Sequence, residues 1–305
     1  MALMPEGTGR GPQARVWRPF PREVADIVAV EDGGGDIPSR MHPWFGITLA
    51  RSRGVATIEA RREVVLDRNW IVLVPGFDLF ALRQQREGEG AVTLLLHGSH
   101  LEGLGLFDQP ALVTDAALGE MVSALVAQWQ RPVCSDGHAT RIRSVLERLV
   151  ARGTPLSATR PQRISALVPV RDYLRAKMSQ PVATEELSRL SGLSESYLIR
   201  AFHYEFGLPP HAYHLRVRLA AACELLSGGL AVASVAYECG FADQGHLSRK
   251  FKAVYGLTPA AWATAASGGI AYDGRPEPHE PLRRLGRRRS ARAPAPEAVS
   301  DGWWH

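Results

Sequence analysis

The chain has 305 residues, 45% hydrophobic and 22% charged, ordinary proportions for a soluble globular protein and a length that suits two domains. No apolar stretch approaches the roughly 20 residues that a membrane helix needs, and the opening residues show neither a basic nor an apolar leader pattern, so a cytoplasmic protein is expected. The net charge of +5 is compatible with a polyanionic partner but is unevenly placed: seven Arg stand against Glu277 and Glu280 between Arg275 and Arg292, while residues 165–265 hold ten Lys or Arg against eight Asp or Glu. Cys134, Cys223 and Cys239 are odd in number and widely spaced, which fits small buried hydrophobes better than a disulfide or zinc framework.

Residues 1–22 read as a flexible start. Short β-rich runs then follow at 24–30, 44–51, 55–60, 63–67, 70–74, 79–84 and 92–96, separated by turn signals such as Gly33-Gly34-Gly35, Arg53-Gly54 and Pro75-Gly76. Regularly spaced short strands with Gly- and Pro-rich turns predict a barrel or jelly roll. From Asp115 the period changes to that of a helix, with Leu118, Met121, Val122, Leu125 and Trp129 on one face, then Ile142, Val145, Leu146 and Leu149 on another. The first of these faces is expected to be an exposed apolar stripe that serves dimerisation. Residues 153–161 supply breakers and read as a linker, and residues 267–305 lack apolar periodicity and read as a disordered Arg/Pro-rich tail.

Residues 184–262 contain an internal repeat with an offset of 48 to 49 residues. Gly192, Leu198, Arg200, Phe202 and Phe206 match Gly240, Leu247, Arg249, Phe251 and Tyr255, and the series continues from Gly207, Leu208, Pro210 and Tyr213 to Gly256, Leu257, Pro259 and Trp262. Each copy reads as helix, glycine turn, helix, the construction of a DNA-binding helix-turn-helix. Thr184 is expected to cap the first helix, Ser194 the second, and Asp243 the matching helix of the second copy. Leu215, Leu219, Ala222 and Leu226 form one face of a helix that joins the two units.

The ordered series Arg218-Leu219-x-x-Ala222-x-x-Leu225-Leu226, followed by Val235-Ala236-x-x-Cys239-Gly240-Phe241-x-Asp243-x-x-x-Leu247-Ser248-Arg249-x-Phe251-Lys252-x-x-x-Gly256-Leu257-Thr258-Pro259-x-x-Trp262, resembles the AraC/XylS signature over about a hundred residues. The resemblance implies a transcriptional regulator with a seven-helix DNA-binding domain at 161–266 that sets two recognition helices in successive major grooves. Carried over by position, Ser196, Ile199 and Arg200 of the first recognition helix and Gln244, His246 and Arg249 of the second face bases, within exposed sets that also include Glu195, His203, Gly245 and Lys250. Arg suits guanine, Gln suits adenine, and Ile suits only a thymine methyl. Arg171, Arg175, Arg216, Arg218 and Lys252 are the candidates for phosphate contacts, with an internal pairing as the alternative for Arg218.

The same resemblance makes residues 23–152 a cupin-like sensing and dimerisation domain, so the expected class is α+β: a cupin-like β-barrel with following helices, then two helix-turn-helix units joined by a linker helix. Trp44, Trp70 and Phe80 are candidate effector-binding residues, with plain core filling as the alternative. No cofactor is expected, and His42 stands apart from any metal-binding cluster. The partners implied are double-stranded promoter DNA, a second copy of the chain, a small-molecule effector and RNA polymerase. A cupin-type enzyme, or a DNA-repair alkyl acceptor fused to a DNA-binding module, is the alternative. The latter needs an activated cysteine.

Overall fold

The computed structural model describes residues 14–19, 27–32, 36–58, 62–84, 90–97, 104, 109–129, 138–156, 165–268 and 270–272. Gly, Pro and charged turns cut the apolar runs of the first half at strand length. The strands are Ala14–Trp17 (β1), Ile27–Asp32 (β2), Ile37–Met41 (β3), Phe45–Ala50 (β4), Gly54–Ile58 (β5), Arg62–Leu66 (β6), Ile71–Val74 (β7), Leu79–Gln84 (β8), Ala91–Leu96 (β9), Ala111–Val113 (β10), Thr154–Pro155 (β11) and Ile270–Tyr272 (β12). They form an eight-stranded sheet in the order β11-β10-β7-β4-β9-β2-β1-β12 and a four-stranded sheet in the order β3-β8-β5-β6. Neighbours run antiparallel, as in Ile47 opposite both Leu73 and Leu94.

Side chains on a strand alternate between faces, and the central strands of the large sheet are buried on both. Phe45, Ile47 and Leu49 of β4 join Val92, Leu94 and Leu96 of β9 on one face, under the helices Ala116–Gln128 (α1) and His138–Arg152 (α2). The opposite face meets the four-stranded sheet, where Ala50, Val72 and Ala91 pack with Ile58, Leu66 and Leu82. Double coverage explains why these strands read as apolar runs instead of alternating polar and apolar residues.

The apolar face of α1 departs from expectation. Leu118, Leu125 and Trp129 are buried in the cluster that covers the sheet, Met121 packs against it, and the stripe is spent within the chain. Close approach makes this fit: a Cβ on Gly119 would lie 1.7 Å from the carbonyl oxygen of Asn69. Asp115 caps the helix by accepting from the Leu118 amide at 3.1 Å.

Two strands lie where the sequence promised no structure. β1 falls within residues 1–22 and β12 within 267–305, and they pair with each other, Val16 opposite Ala271. Three or four residues carry no periodic signal of their own, and pairing across the whole chain holds them. The rest of the expected tail, residues 273–305 with the Arg-rich run, lies outside the described residues.

The described residues of the second half form seven helices: Leu167–Ala176 (α3), Thr184–Ser191 (α4), Glu195–Phe206 (α5), Pro210–Ser227 (α6), Val232–Glu238 (α7), Gln244–Tyr255 (α8) and Pro259–Ala266 (α9). Their core is shared with the strands. Val16, Val28, Val30, Trp44 and Leu95 belong to the cluster built on α6 to α9, and Met41 and Leu79 to the one built on α3 to α6. Side-chain bonds cross the same boundary: among them, Arg18 Nε donates to the Ala266 carbonyl at 2.6 Å, Arg40 Nε to the Val254 carbonyl at 3.2 Å, and the Tyr255 hydroxyl to the Met41 carbonyl at 2.6 Å.

Candidate nucleic-acid interface

Each repeat copy folds as two helices around a glycine in the left-handed conformation, with φ of 69° at Gly192 and 70° at Gly240. Only glycine takes this region without cost, which is why the residue recurs at the turn. The two positions differ in their surroundings. Nothing lies within 4 Å of a Cβ built on Gly192, whereas one on Gly240 would sit 2.2 Å from the Ser179 carbonyl oxygen. Leu198, Phe202 and Phe206 bury one face of α5, and Leu247, Phe251 and Tyr255 bury the matching face of α8. Pro210 and Pro259 each open the following helix, where a missing N–H costs nothing.

The caps follow the sequence reading only in part. Asp243 accepts from the His246 amide at 2.6 Å and caps α8. Ser194 occupies the N-cap of α5 without a side-chain bond, and Ala183, not Thr184, is the N-cap of α4. Thr184 is the first helical residue, one position too late to cap it.

Burying one face fixes the other. On α5 the exposed set is Glu195, Ser196, Tyr197, Ile199, Arg200, His203 and Tyr204. On α8 it is Gln244, Gly245, Arg249, Lys250, Lys252 and Ala253, with His246 half-buried and its ring edge-on to Phe241 at 5.4 Å. Arg200 and Arg249 occupy equivalent positions, are exposed, and make no hydrogen bond or ion pair among the described residues. A Cβ on Gly245 would lie 3.3 Å from an Arg249 guanidinium nitrogen, so that side chain folds back over the first turn of α8. Tyr197 was not singled out from sequence; its place beside Leu198 and off the buried Leu198, Phe202 and Phe206 series carries the signal.

Of the expected phosphate contacts, only Lys252 is exposed and without a hydrogen-bond or ion-pair partner among the described residues. Arg218 is a structural joint: Nε donates to the Met178 carbonyl at 2.6 Å, Nη1 to Gly240 at 3.0 Å and Nη2 to Gln180 at 2.9 Å. The alternative of an internal ion pair fails too, because its partners are neutral carbonyls. Arg175 faces the β domain, donating to the Phe77 carbonyl and the Tyr213 hydroxyl at 2.9 Å each. Arg171 bonds Asp172 at 2.8 Å and lies over the Phe206 ring. Arg216 is half-buried, and burial lowers its pKa. Internal carbonyls can take up the same arginine donors that phosphates accept from, and sequence spacing does not separate the two.

A family profile described as a helix-turn-helix domain matches residues 187–265, which hold both copies of the repeat. The probable transcriptional regulator LumQ of Photobacterium leiognathi is 26% identical over 149 residues, 48% of this chain and 60% of that protein. The transcriptional activator RhaS of Klebsiella pneumoniae is 29% identical over 129 residues, 41% of this chain and 46% of that protein. The domain is of the AraC/XylS type. A solved structure of a probable AraC family transcriptional regulator from Rhodopseudomonas palustris is 34% identical, covers 33% of this chain and 96% of that one, and has a TM-score of 0.32. The chain thus spans 60% of the length of LumQ and less than half of RhaS.

Outside the AraC/XylS-type domain, a small cavity of about 30 Å³ lies between the two sheets and opens to solvent. Trp44 and Phe80 line it together with Arg40, His42, Thr48 and Thr93. Trp70 does not: it sits half-buried where the chain enters β7, its amide bonded to Asp67 in a turn. Arg40 and His42 were not read as effector residues, because an isolated Arg and His in a short strand give no pattern.

Among the described residues no group of His, Cys, Asp and Glu is placed to hold a metal ion, and no helix is long and apolar enough to cross a membrane. Cys223 and Cys239 are buried, and burial raises both thiols, Cys239 to about 12, the reverse of an activated acceptor. Cys134 lies outside the described residues.

Proposed function

We propose that the chain is a cytoplasmic, sequence-specific DNA-binding transcriptional regulator of the AraC/XylS type, controlled by a small-molecule effector in its N-terminal domain. The observation that carries this reading is the pair Arg200 and Arg249, equivalent in two helix-turn-helix units, exposed and free of hydrogen-bond or ion-pair partners among the described residues. In this reading Arg200 and Arg249 read guanine, Gln244 reads adenine, Ile199 touches a thymine methyl, and Ser196 and His246 make lesser base contacts. Lys250 and Lys252 approach phosphates. The exposed Tyr197, Ile199 and Tyr204 give α5 a more apolar surface than α8, so the first unit adds apolar contact, such as that of Ile199 with a thymine methyl, to the Arg200 contact. The resemblance to LumQ and RhaS in the DNA-binding region supports regulation over the enzyme and repair alternatives.

The reading extends to domains at 23–152 and 161–266, a homodimer on promoter DNA, and RNA polymerase as a second partner. The dimer needs a surface other than the buried face of α1. Binding of the full chain to DNA fragments from its own promoter regions, followed by footprinting, tests the proposal. Two protected major-groove segments about 10 base pairs apart are expected, and equal affinity for all fragments would sink it.

A further inference from the structure

A cleft of about 300 Å³ opens inside the DNA-binding domain, beside the first recognition helix. Its walls come from Leu174 of α3, Thr184 and Leu187 of α4, Ile199 of α5, and α6 from Pro210 to Arg218. Ile199 belongs to the exposed set of α5, so the cleft is continuous with the surface proposed to face the duplex. The floor is already engaged: His214 is buried and donates Nε2 to the Lys177 carbonyl at 3.0 Å, and Arg218 holds its three carbonyls. The rim is not. His211 is exposed, Thr184 is half-buried, and neither side chain has a hydrogen-bond or ion-pair partner among the described residues. No Asp or Glu stands among the described lining residues, and the adjacent Glu185 and Glu186 are engaged by Arg189 at 3.9 Å and by the Tyr173 hydroxyl.

The internal repeat separates what the fold needs from what it does not. At the offsets of 48 and 49 residues, Thr184 corresponds to Val232 and His211 to Ala260, while Pro210 corresponds to Pro259. Thr184 and Val232 each open the first helix of their unit, and His211 and Ala260 each follow the proline that opens the next one. Matched positions in a duplicated fold carry the same structural duty. The second copy performs that duty with Val and Ala, so the hydroxyl and the imidazole of the first copy are surplus to it.

A recognition helix in a major groove has sugar-phosphate strands along its flanks, and the helix before it crosses that backbone. The starts of α4 and α6 meet at one flank of α5, around the cleft. Hydroxyl and imidazole N–H groups at such a place are donors for phosphate oxygens. Resting on the regulator reading, we infer that the cleft receives the DNA backbone and that Thr184 and His211 bond its phosphates, an anchoring contact with no counterpart at the matched positions of the second unit.

The test replaces each residue with its counterpart from the second copy, Thr184→Val and His211→Ala, which the same helix positions already accommodate there. Full-length protein is titrated with a duplex carrying a protected promoter segment, with its single-base substitutions, and with a random-sequence duplex, while urea unfolding follows the fold. Each variant is expected to keep the wild-type urea midpoint and to lose about three- to tenfold in affinity on every duplex alike. His211→Lys, which puts a cation at the same rim, should restore binding and steepen the slope of log K against log salt by about one. Wild-type affinity in both Thr184→Val and His211→Ala would leave the cleft to another occupant and overturns the inference. So does a loss confined to one base pair, or a His211→Lys variant that neither restores binding nor steepens the slope. A wild-type chain that binds no duplex removes the regulator reading as well, whereas wild-type binding with unaffected variants removes this inference alone.

Discussion

Replacing Arg218 with Ala separates two roles for a basic residue near a DNA-binding unit. Its three donors hold the carbonyls of Met178, Gln180 and Gly240, tying the segment between α3 and α4 and the turn of the second unit to α6. A hydrogen bond to a charged group contributes about 1.5–3 kcal/mol. The Gln180 bond is exposed, and water replaces it at little cost. The two part-buried bonds then set the loss, and partial solvent access holds it to about 2–4 kcal/mol. Arg218→Lys reaches one carbonyl at most and should lose more than half as much. Urea unfolding of each variant gives the stability change, and binding to promoter DNA across a salt series gives the slope of log K against log salt. A stability loss with an unchanged slope is expected. An unchanged urea midpoint with a slope reduced by about one would refute the structural role and make Arg218 a phosphate contact.

Gly192→Ala and Gly240→Ala occupy matched turns but should differ: the left-handed backbone alone costs about 1–2 kcal/mol, and the Ser179 carbonyl adds about 1–3 kcal/mol at Gly240 alone. Equal urea midpoints would contradict that ordering. Arg200→Ala and Arg249→Ala should each lose about 1–3 kcal/mol of discrimination at one base pair, with the two positions about 10 base pairs apart; selection on randomised operators reads this out, and a uniform loss on all sequences would count against paired reading. His42 stays neutral in the fold down to about pH 3, while the unfolded chain binds a proton below its ordinary 6.5. Its contribution is therefore complete above pH 6.5 and falls by about 1.4 kcal/mol per unit as the pH drops toward 3, so His42→Phe should flatten the stability profile between pH 6.5 and 5.

The helix-turn-helix units were legible in the sequence because their determinants are local. A glycine at the turn, apolar residues four apart and a proline opening the next helix each act within one or two helical turns, and their recurrence 48 to 49 residues later identified the unit. The same spacing fixed which face of α5 and α8 is buried, and so left Arg200 and Arg249 on the other. The β-rich runs were legible for the same reason, as strand-length segments between turn residues. Sequence order did not reveal which donors find partners inside the molecule. Arg218 and Arg175 read like phosphate contacts until tertiary packing brought carbonyls from 22 to 98 residues away to meet them. The face of α1 read as exposed because amphipathicity shows that a face must be covered and not what covers it; the sheet does. β1 and β12 are too short to declare themselves and exist through pairing between opposite ends of the chain. Arg40 and His42 became site residues only when β3 was laid between the inter-sheet cavity and the end of α8, since a cavity is enclosed by strands distant in sequence and belongs to no single one of them.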